Sequence, residues 1–464
     1  MHDCTFSSNY AEGAGGAVSI NKGSVEMHNC TLSGNTAEDA GGAVSINEGS
    51  VGMHNCTLLG NRAGMDGGGV VYMLTYYSTT PSVEMHGCTL SGNIAFNGGV
   101  VYNYMGSVEM HNCTLSNNLA DNGGAFRSSM GSVEMHNCTL SGNIAYENGG
   151  AFYIVYAYEG SYEMHGCTLS DNHAYIGGGA VYQRDRGLIE MHDCTLSGNR
   201  AEDSGGAVYS YISGSIEMHG CTLSNNFAAD DGGAVYSTNE IIYSTEGSVE
   251  IHGCTFSGNH AGDGGGAVYN YNKSVEIHGC TLSGNIAITG GGAVYSTKGS
   301  VEMHGCTLSG NIAGDGGGAV YSTEGSVDIH GCMLSDNTAG DGGGAVYSTE
   351  GSVEIHGCML SDNTARTGNG GVVNSNNGLV WFEESIMVGN RAGQRGDGGR
   401  YDAVLEEQQS GARVLPYMDD FLMLASSEKE AYELRQRAEH MLKHLGVQRK
   451  VRKGQWTPVQ MVEQ

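Results

Sequence analysis

The sequence predicts an all-β fold, a right-handed parallel β-helix of about fourteen rungs over residues 1–390, followed by a small α/β C-terminal segment. Three observations carry this expectation. Fourteen cysteines, at 4, 30, 56, 88, 113, 138, 167, 194, 221, 254, 280, 306, 332 and 358, recur at spacings of 25 to 33 residues, most often 26, and each follows a histidine by two positions. Glycine numbers 77 and proline only 3, with no Gly-X-Y period, which excludes collagen and a proline-rich linker. Before residue 390 no stretch carries the 3.6-residue apolar period of a helix.

The most regular unit, GSVEMHGCTLSGNIAGDGGGAVYSTE at 299–324, is too short to be a domain. It holds three β-compatible runs, Ser300–His304, Cys306–Ser309 and Gly318–Ser322, separated by glycine and Asn/Asp turn residues. Three short strands with small turns make one rung of a solenoid, and each rung stacks on the next. At ~4.8 Å per rung, fourteen rungs give a rod on the order of 65 Å.

Strand alternation puts Val301 and Met303 on one face. A bend at His304–Gly305 then turns Cys306 and Leu308 inward, followed by Asn311, Ala313 and Ala319. Stacked copies bury apolar surface in register, and an asparagine ladder hydrogen-bonds from rung to rung. The Gly316–Gly318 run suits a corner that has no room for a Cβ or needs positive φ.

The charge is placed unevenly. Residues 401–464 hold nine of the 21 basic and ten of the 50 acidic residues, which leaves 12 and 40 for 1–400 and puts nearly all of the −29 there. A surface this acidic repels nucleic acid and anionic lipid, so no nucleic-acid partner is expected for the β-helix. No run of 18 apolar residues exists, so no transmembrane segment is expected. No signal peptide is visible, and the chain opens in mid-repeat; an extracellular or cell-surface location is the expectation if the full-length gene encodes one.

Fourteen His-x-Cys pairs invite a zinc reading, but the bend sends histidine out and cysteine in, so the two cannot share an ion. Cysteine then acts as a small buried hydrophobe. Rungs ~4.8 Å apart fall within disulfide range, yet parallel Cβ vectors aim poorly, so stacked free thiols are expected. Gly-Asp-Gly-Gly-Gly at 262–266, 314–318 and 340–344 invites a weak calcium ladder at Asp315 and Asp341, with turn chemistry the plainer reading. Asn-Cys-Thr at 29, 55, 112 and 137 fits the glycosylation sequon. No cofactor is expected for the β-helix. Longer units near 64–81, 149–162 and 236–247 are tyrosine-rich, with Tyr72, Tyr76, Tyr77, Tyr153, Tyr156, Tyr158 and Tyr243. Insertions into a solenoid emerge on one side, so Tyr76, Tyr77, Tyr156 and Tyr158 are candidate contacts for glycans or proteins; packing over a loop base is the alternative.

Phe-Ser-Ser-Asn at 6–9 and Phe-Ser-Gly-Asn at 256–259, each followed by Gly-Gly-Ala-Val, resemble the FxxN and GGA(I/L/V) signatures of the chlamydial polymorphic membrane protein repeat. Most copies carry Leu or Met in place of Phe, as in Leu308–Asn311. The resemblance covers about 1–390 and implies a β-helical passenger with a surface-adhesin role. Pectin-degrading enzymes share the solenoid, the pectin lyase fold. They need acidic or basic residues placed once in one groove, whereas here acids repeat in every rung, so a carbohydrate-active enzyme is the lesser alternative.

From Gly378 the repeat decays, and the polar stretch Glu383–Arg400 reads as a linker, placed at 391–410 between the two parts. Beyond it Arg413–Tyr417 and Phe421–Ala425 are apolar strands around Met418-Asp419-Asp420. Ser427 and Glu430 form a capping box, and Ala431, Leu434, Ala438, Met441, Leu442 and Leu445 make the apolar face of a helix that Gly446 ends. Tyr417-Met418-Asp419-Asp420, Leu445-Gly446 and Lys453-Gly454-Gln455-Trp456 resemble, in order, the YxDD hairpin of the reverse transcriptase palm and the retroelement segment C-terminal to it. The resemblance covers about 411–460. It implies Asp419 and Asp420 as catalytic Mg²⁺ ligands and Lys453 beside the nucleotide phosphates. The palm also needs an upstream aspartate and fingers, which residues 1–400 do not supply. The tail is therefore expected to be an inactive partial palm at 411–464, the product of a gene fusion, with an active RNA-directed DNA polymerase as the alternative.

Overall fold

The computed structural model describes residues 1–65, 67–75, 80–156, 160–239, 247–393 and the strand backbones at 413–417 and 420–424. The chain divides into Met1–Ala403 and Val404–Gln464.

In the first unit every turn of the coil repeats one pattern. In the turn at 299–324 the strands are Val301–His304, Thr307–Ser309, Ile312–Ala313 and Val320–Ser322. We call the sheets they join the histidine, leucine, alanine and tyrosine sheets. All pairings between turns are parallel and in register: Val275, Val301 and Val327 align, as do Leu282, Leu308 and Leu334, and Tyr295, Tyr321 and Tyr347. Among the described residues the histidine and tyrosine sheets have 14 strands each and the leucine sheet 15. The alanine sheet has a 3-stranded and an 11-stranded part, joined by bridges through Ile94. This fourth, two-residue strand is too short to signal itself in the sequence, where only three runs stand out.

The bends explain the alternation of Gly, Asn and Asp between strands. At the position of Gly305 (φ +61°) stand Asn29, Asn55, Asn112, Asn137 and Asp193, all with φ between 52° and 54°. These are the residue types that adopt the left-handed region at least cost. The four sequon asparagines therefore sit exposed at this bend. Gly318 is glycine for another reason: a Cβ there would lie 2.1 Å from Gly344 O of the next rung.

The core is a set of ladders. Val301, Met303, Cys306, Leu308, Ala313, Ala319 and Val320 are all at most 2 % exposed. Each cysteine from Cys30 to Cys358 is a free, buried thiol. Cys306 Sγ shares its one S–H between His304 O at 3.4 Å and Ile277 O of the preceding rung at 3.2 Å. The thiol therefore points away from the imidazole, as the bend predicts. Asn311 is fully buried, and its Nδ2 donates to Asn337 Oδ1 and Leu282 O, both at 2.9 Å. Its Oδ1 accepts from Asn285 N and Nδ2 at 3.0 and 2.9 Å, so the buried amide is fully satisfied.

The solenoid runs further than the cysteine count suggests. Glu383–Arg400 is expected to begin a linker, but Val373–Ser375, Val380–Glu383, Ile386–Val388 and Arg391–Ala392 complete another turn. Ser385 stands where cysteine would, its one O–H shared between Ile355 O and Glu383 O at 3.2 and 2.9 Å. Asn390 extends the asparagine ladder, accepting from Asn363 Nδ2 at 2.8 Å. In the second unit Arg413–Tyr417 pairs antiparallel with Asp420–Leu424, Tyr417 opposite Asp420. The second strand thus starts one residue before the expected Phe421. The helix expected after Ser427 lies outside the described residues.

Candidate binding surface

The outward positions of the solenoid also form stripes. On the histidine sheet, fourteen imidazoles from His2 to His356 stack with centroids 4.6–5.0 Å apart and planes within 9°. Exposed rings are the expectation; stacking leaves them only half-exposed. The carboxylates two residues before them stack as well, Glu84 on Glu109 on Glu134. Most of these carboxylates meet their own histidine, as Glu302 Oε1 meets His304 Nε2 at 2.6 Å. That contact holds the Glu302 carboxyl below its ordinary range. His28 lies below its ordinary value, through burial first and then through the neighbouring His2 and His54.

On the tyrosine sheet, alternation turns Val320 and Ser322 inward and Tyr321 outward. The result is a stripe from Tyr72 to Tyr347. Tyr182–Tyr209, Tyr236–Tyr269, Tyr295–Tyr321 and Tyr321–Tyr347 stack at 4.7–4.9 Å. Where the stripe lacks a tyrosine, the Arg127 guanidinium bridges it, lying 5.3 Å from the Tyr102 ring and 5.6 Å from that of Tyr153. Rings stacked along the axis hide their faces; Tyr72, Tyr153, Tyr182 and Tyr269 are buried, and the more open edges belong to Tyr102, Tyr209, Tyr236, Tyr295, Tyr321 and Tyr347. Burial pushes the Tyr295 hydroxyl up to about 12, so it remains a donor at neutral pH.

The long units enter the fold at one corner, between the tyrosine sheet and the histidine sheet. They follow Val71–Leu74, Phe152–Val155 and Val235–Thr238, which are three strands apart in the tyrosine sheet. The insertions therefore leave the same edge at intervals of roughly 14 Å. Of the tyrosines named for this face, Tyr156 directly follows its strand with φ +55° and 45 % exposure. Tyr76, Tyr77, Tyr158 and Tyr243 lie outside the described residues. Tyr72 and Tyr153 are buried members of the stripe. Reading only the insertions misses Tyr102, Tyr182, Tyr209, Tyr236, Tyr269, Tyr295, Tyr321 and Tyr347. Their signal is the recurring tyrosine after valine at one position of the unit. Asp315 and Asp341 stand exposed at a turn. Asp419 and Lys453 lie outside the described residues, and Asp420 is placed only as backbone.

The family described as right handed beta helix region matches residues 74–242. The coil is a right-handed β-helix. The Chlamydia polymorphic membrane protein repeat matches residues 253–271 and 305–323 of this β-helix. Among solved structures, the crystal structure of PfbA, a surface adhesin of Streptococcus pneumoniae, aligns over 83 % of this chain and 91 % of its own, at 9 % identity and TM-score 0.24. No curated protein matches. Among the described residues no helix is long and apolar enough to cross a membrane.

Proposed function

We propose that this β-helix is a structural or adhesin-like surface module that binds an extended glycan or protein along its tyrosine stripe and the adjoining corner. One observation carries the reading: the three insertions enter at a single edge, every third rung, beside a row of tyrosines interrupted once, by Arg127. A row of aromatic edges at the rung spacing suits a polymer that repeats along its length, and insertions on one side of a solenoid commonly form its binding face. The matching repeat family supports a surface, extracellular location for such a module. A carbohydrate-active enzyme is less favoured, because the outward acids recur from rung to rung instead of converging once. The test is a glycan and matrix-protein array with the intact chain, repeated after residues 240–246 are removed. Binding without product release, weakened by the deletion, is expected. Hydrolysis, or binding indifferent to the deletion, would overturn the reading.

The tail carries a second reading, as a reverse transcriptase palm fragment. Its support is the motif order and the antiparallel pairing that sets Tyr417 opposite Asp420. Mg²⁺ would matter only here. Without an upstream aspartate the fragment should be inactive. RNA-templated primer extension that disappears in Asp419→Asn would make it an enzyme.

A further inference from the structure

The histidine edge stacks two kinds of group that repel or waste their own kind. Carboxylates sit one above another at about the 4.8 Å rung spacing, a like-charge arrangement that is destabilising across strands. Beside them run imidazoles whose Nε2 atoms face the same groove. At three places the two rows converge on one point: Glu26, His28 and His54; Glu134, His136 and His165; and Asp328, His330 and His356. In each set one carboxylate oxygen and two imidazole nitrogens from neighbouring rungs all lie within 4.8 Å of one another.

Local sequence builds each set. At the first, the rung above Glu26 has Gly52 where each of the other rungs up to Glu354 carries an acid. The Glu26 carboxylate leans into that space: a Cβ on Gly52 would meet Glu26 Oε2 at 2.1 Å. It thereby reaches His54 Nε2 of the next rung at 3.6 Å. At the second, Glu134 Oε1 lies 2.6 Å from His136 Nε2, with His165 stacked 4.9 Å away. At the third, Asp328 Oδ1 lies 2.7 Å from His330 Nε2. That oxygen is shielded from water yet accepts no aligned hydrogen bond among the described residues. His356 turns its Nδ1 to Glu383 Oε2 at 3.0 Å, which leaves Nε2 on the side of Asp328 and His330, 3.6 Å from Glu354 Oε2. A carboxylate behind a ligating histidine is the usual orienting partner in metal sites.

We propose that the edge binds divalent cations of the zinc class, one at each of these three places. Two imidazoles and one carboxylate suit Zn²⁺, or Ni²⁺ and Cu²⁺, with water completing the shell. Ca²⁺, which takes six to eight oxygens, is excluded by the donor set. Bonds of ~2.1 Å put donors of one ion at most ~4.2 Å apart, so the rings tilt together by χ rotation. The side chains are partly exposed, so no backbone shift is required. Each ion adds a bond between adjacent rungs, and at Glu134 and Asp328 it also offsets the repulsion of the acids stacked above and below; the buried thiols take no part.

The test is calorimetric titration of the full chain with Zn²⁺ near neutral pH, with Co²⁺ as spectroscopic probe. About three saturable equivalents are expected, and a Co²⁺ spectrum of nitrogen and oxygen ligands without a thiolate band. Gly52→Ala should remove one equivalent by displacing Glu26, and His136→Gln another. Glu383→Gln should weaken the third by about 10–100-fold. If circular dichroism shows Gly52→Ala misfolded, Glu26→Gln makes the same test. A thiolate band, or stoichiometry and affinity unchanged in all these variants, would overturn the proposal.

Discussion

Asn311→Ala should be among the most damaging single substitutions in the solenoid. The wild-type Asn311 Oδ1 accepts two hydrogen bonds, from Asn285 N and Asn285 Nδ2. Truncation orphans the Asn285 backbone N–H and one of the two Nδ2 hydrogens in a fully buried residue, while the other Nδ2 hydrogen keeps Phe256 O at 3.1 Å. Leu282 O also loses a donor, whereas Asn337 Oδ1 keeps the Asn311 backbone N–H at 3.1 Å. Each orphaned buried donor costs about 1–3 kcal/mol, so the sum is about 2–6 kcal/mol before any cavity is counted. Ile312→Thr is the control, since Ile312 is 39 % exposed and threonine stands in register with it at Thr338. It should change stability by no more than about 0.5 kcal/mol. In a repeat array unfolding is not all-or-none, so hydrogen exchange resolved by rung is the suitable assay, alongside urea denaturation. Protection should fall around Asn285, Asn311 and Asn337 and recover a few rungs away. A loss below about 1 kcal/mol would refute the view that the asparagine ladder holds the rungs in register.

Glycine at the two kinds of turn should respond oppositely. Gly318→Ala forces a Cβ to 2.1 Å from Gly344 O and should cost about 1–3 kcal/mol or more. Gly305→Asn should be near neutral in the same urea melts, because nothing lies within 4 Å and Asn29 adopts the same φ. Lys273 should give the stability a distinctive pH dependence. Its Nζ donates to Gly214 O at 2.7 Å, and burial lowers the ammonium to about 7. The unfolded lysine titrates near ~10.4, so between about pH 7 and 10 the unfolded chain holds a proton that the folded chain lacks. Stability therefore rises with pH across that window and falls back toward pH 7. Urea midpoints of Lys273→Met should lack this slope; an unchanged slope would refute the assignment.

The architecture was legible because one buried position was marked by a rare residue. Cysteine at every turn gave the period, and the bend after His304 followed from Gly305 and its Asn equivalents. Cysteine does not mark the final turn, whose second half from Glu383 reads as linker, although Ser385 performs the thiol's hydrogen bonding and the pattern Ser-Ile-Met-Val-Gly-Asn is otherwise intact. Ile312–Ala313 was missed because a two-residue strand has no period to read. The tyrosine stripe is written in the unit at Tyr321 and its equivalents, whereas the insertions by themselves point only to Tyr76, Tyr77, Tyr156 and Tyr158. The metal-binding candidates could not be read from the His-x-Cys motif, since the convergence joins His330 to His356 of the next rung and depends on register. Nothing in the sequence near Lys273 signals its burial, which comes from contact with Ser210 and Gly214, about sixty residues earlier.

From Cys30 to Cys358 each rung turns its cysteine into one continuous core and its histidine outward. Thiol labelling of the native chain, counted by intact mass, tests all rungs at once. Thirteen of the fourteen cysteines are buried and free, and only Cys4 at the first rung is partly exposed. Burial also raises the Cys30 thiol, which slows its reaction further. At most one label should attach rapidly to the folded protein, and fourteen should attach without reductant once it is denatured. Several rapid labels in the native state would contradict the register, and fewer than fourteen after denaturation would show disulfides where the account requires a ladder of thiols.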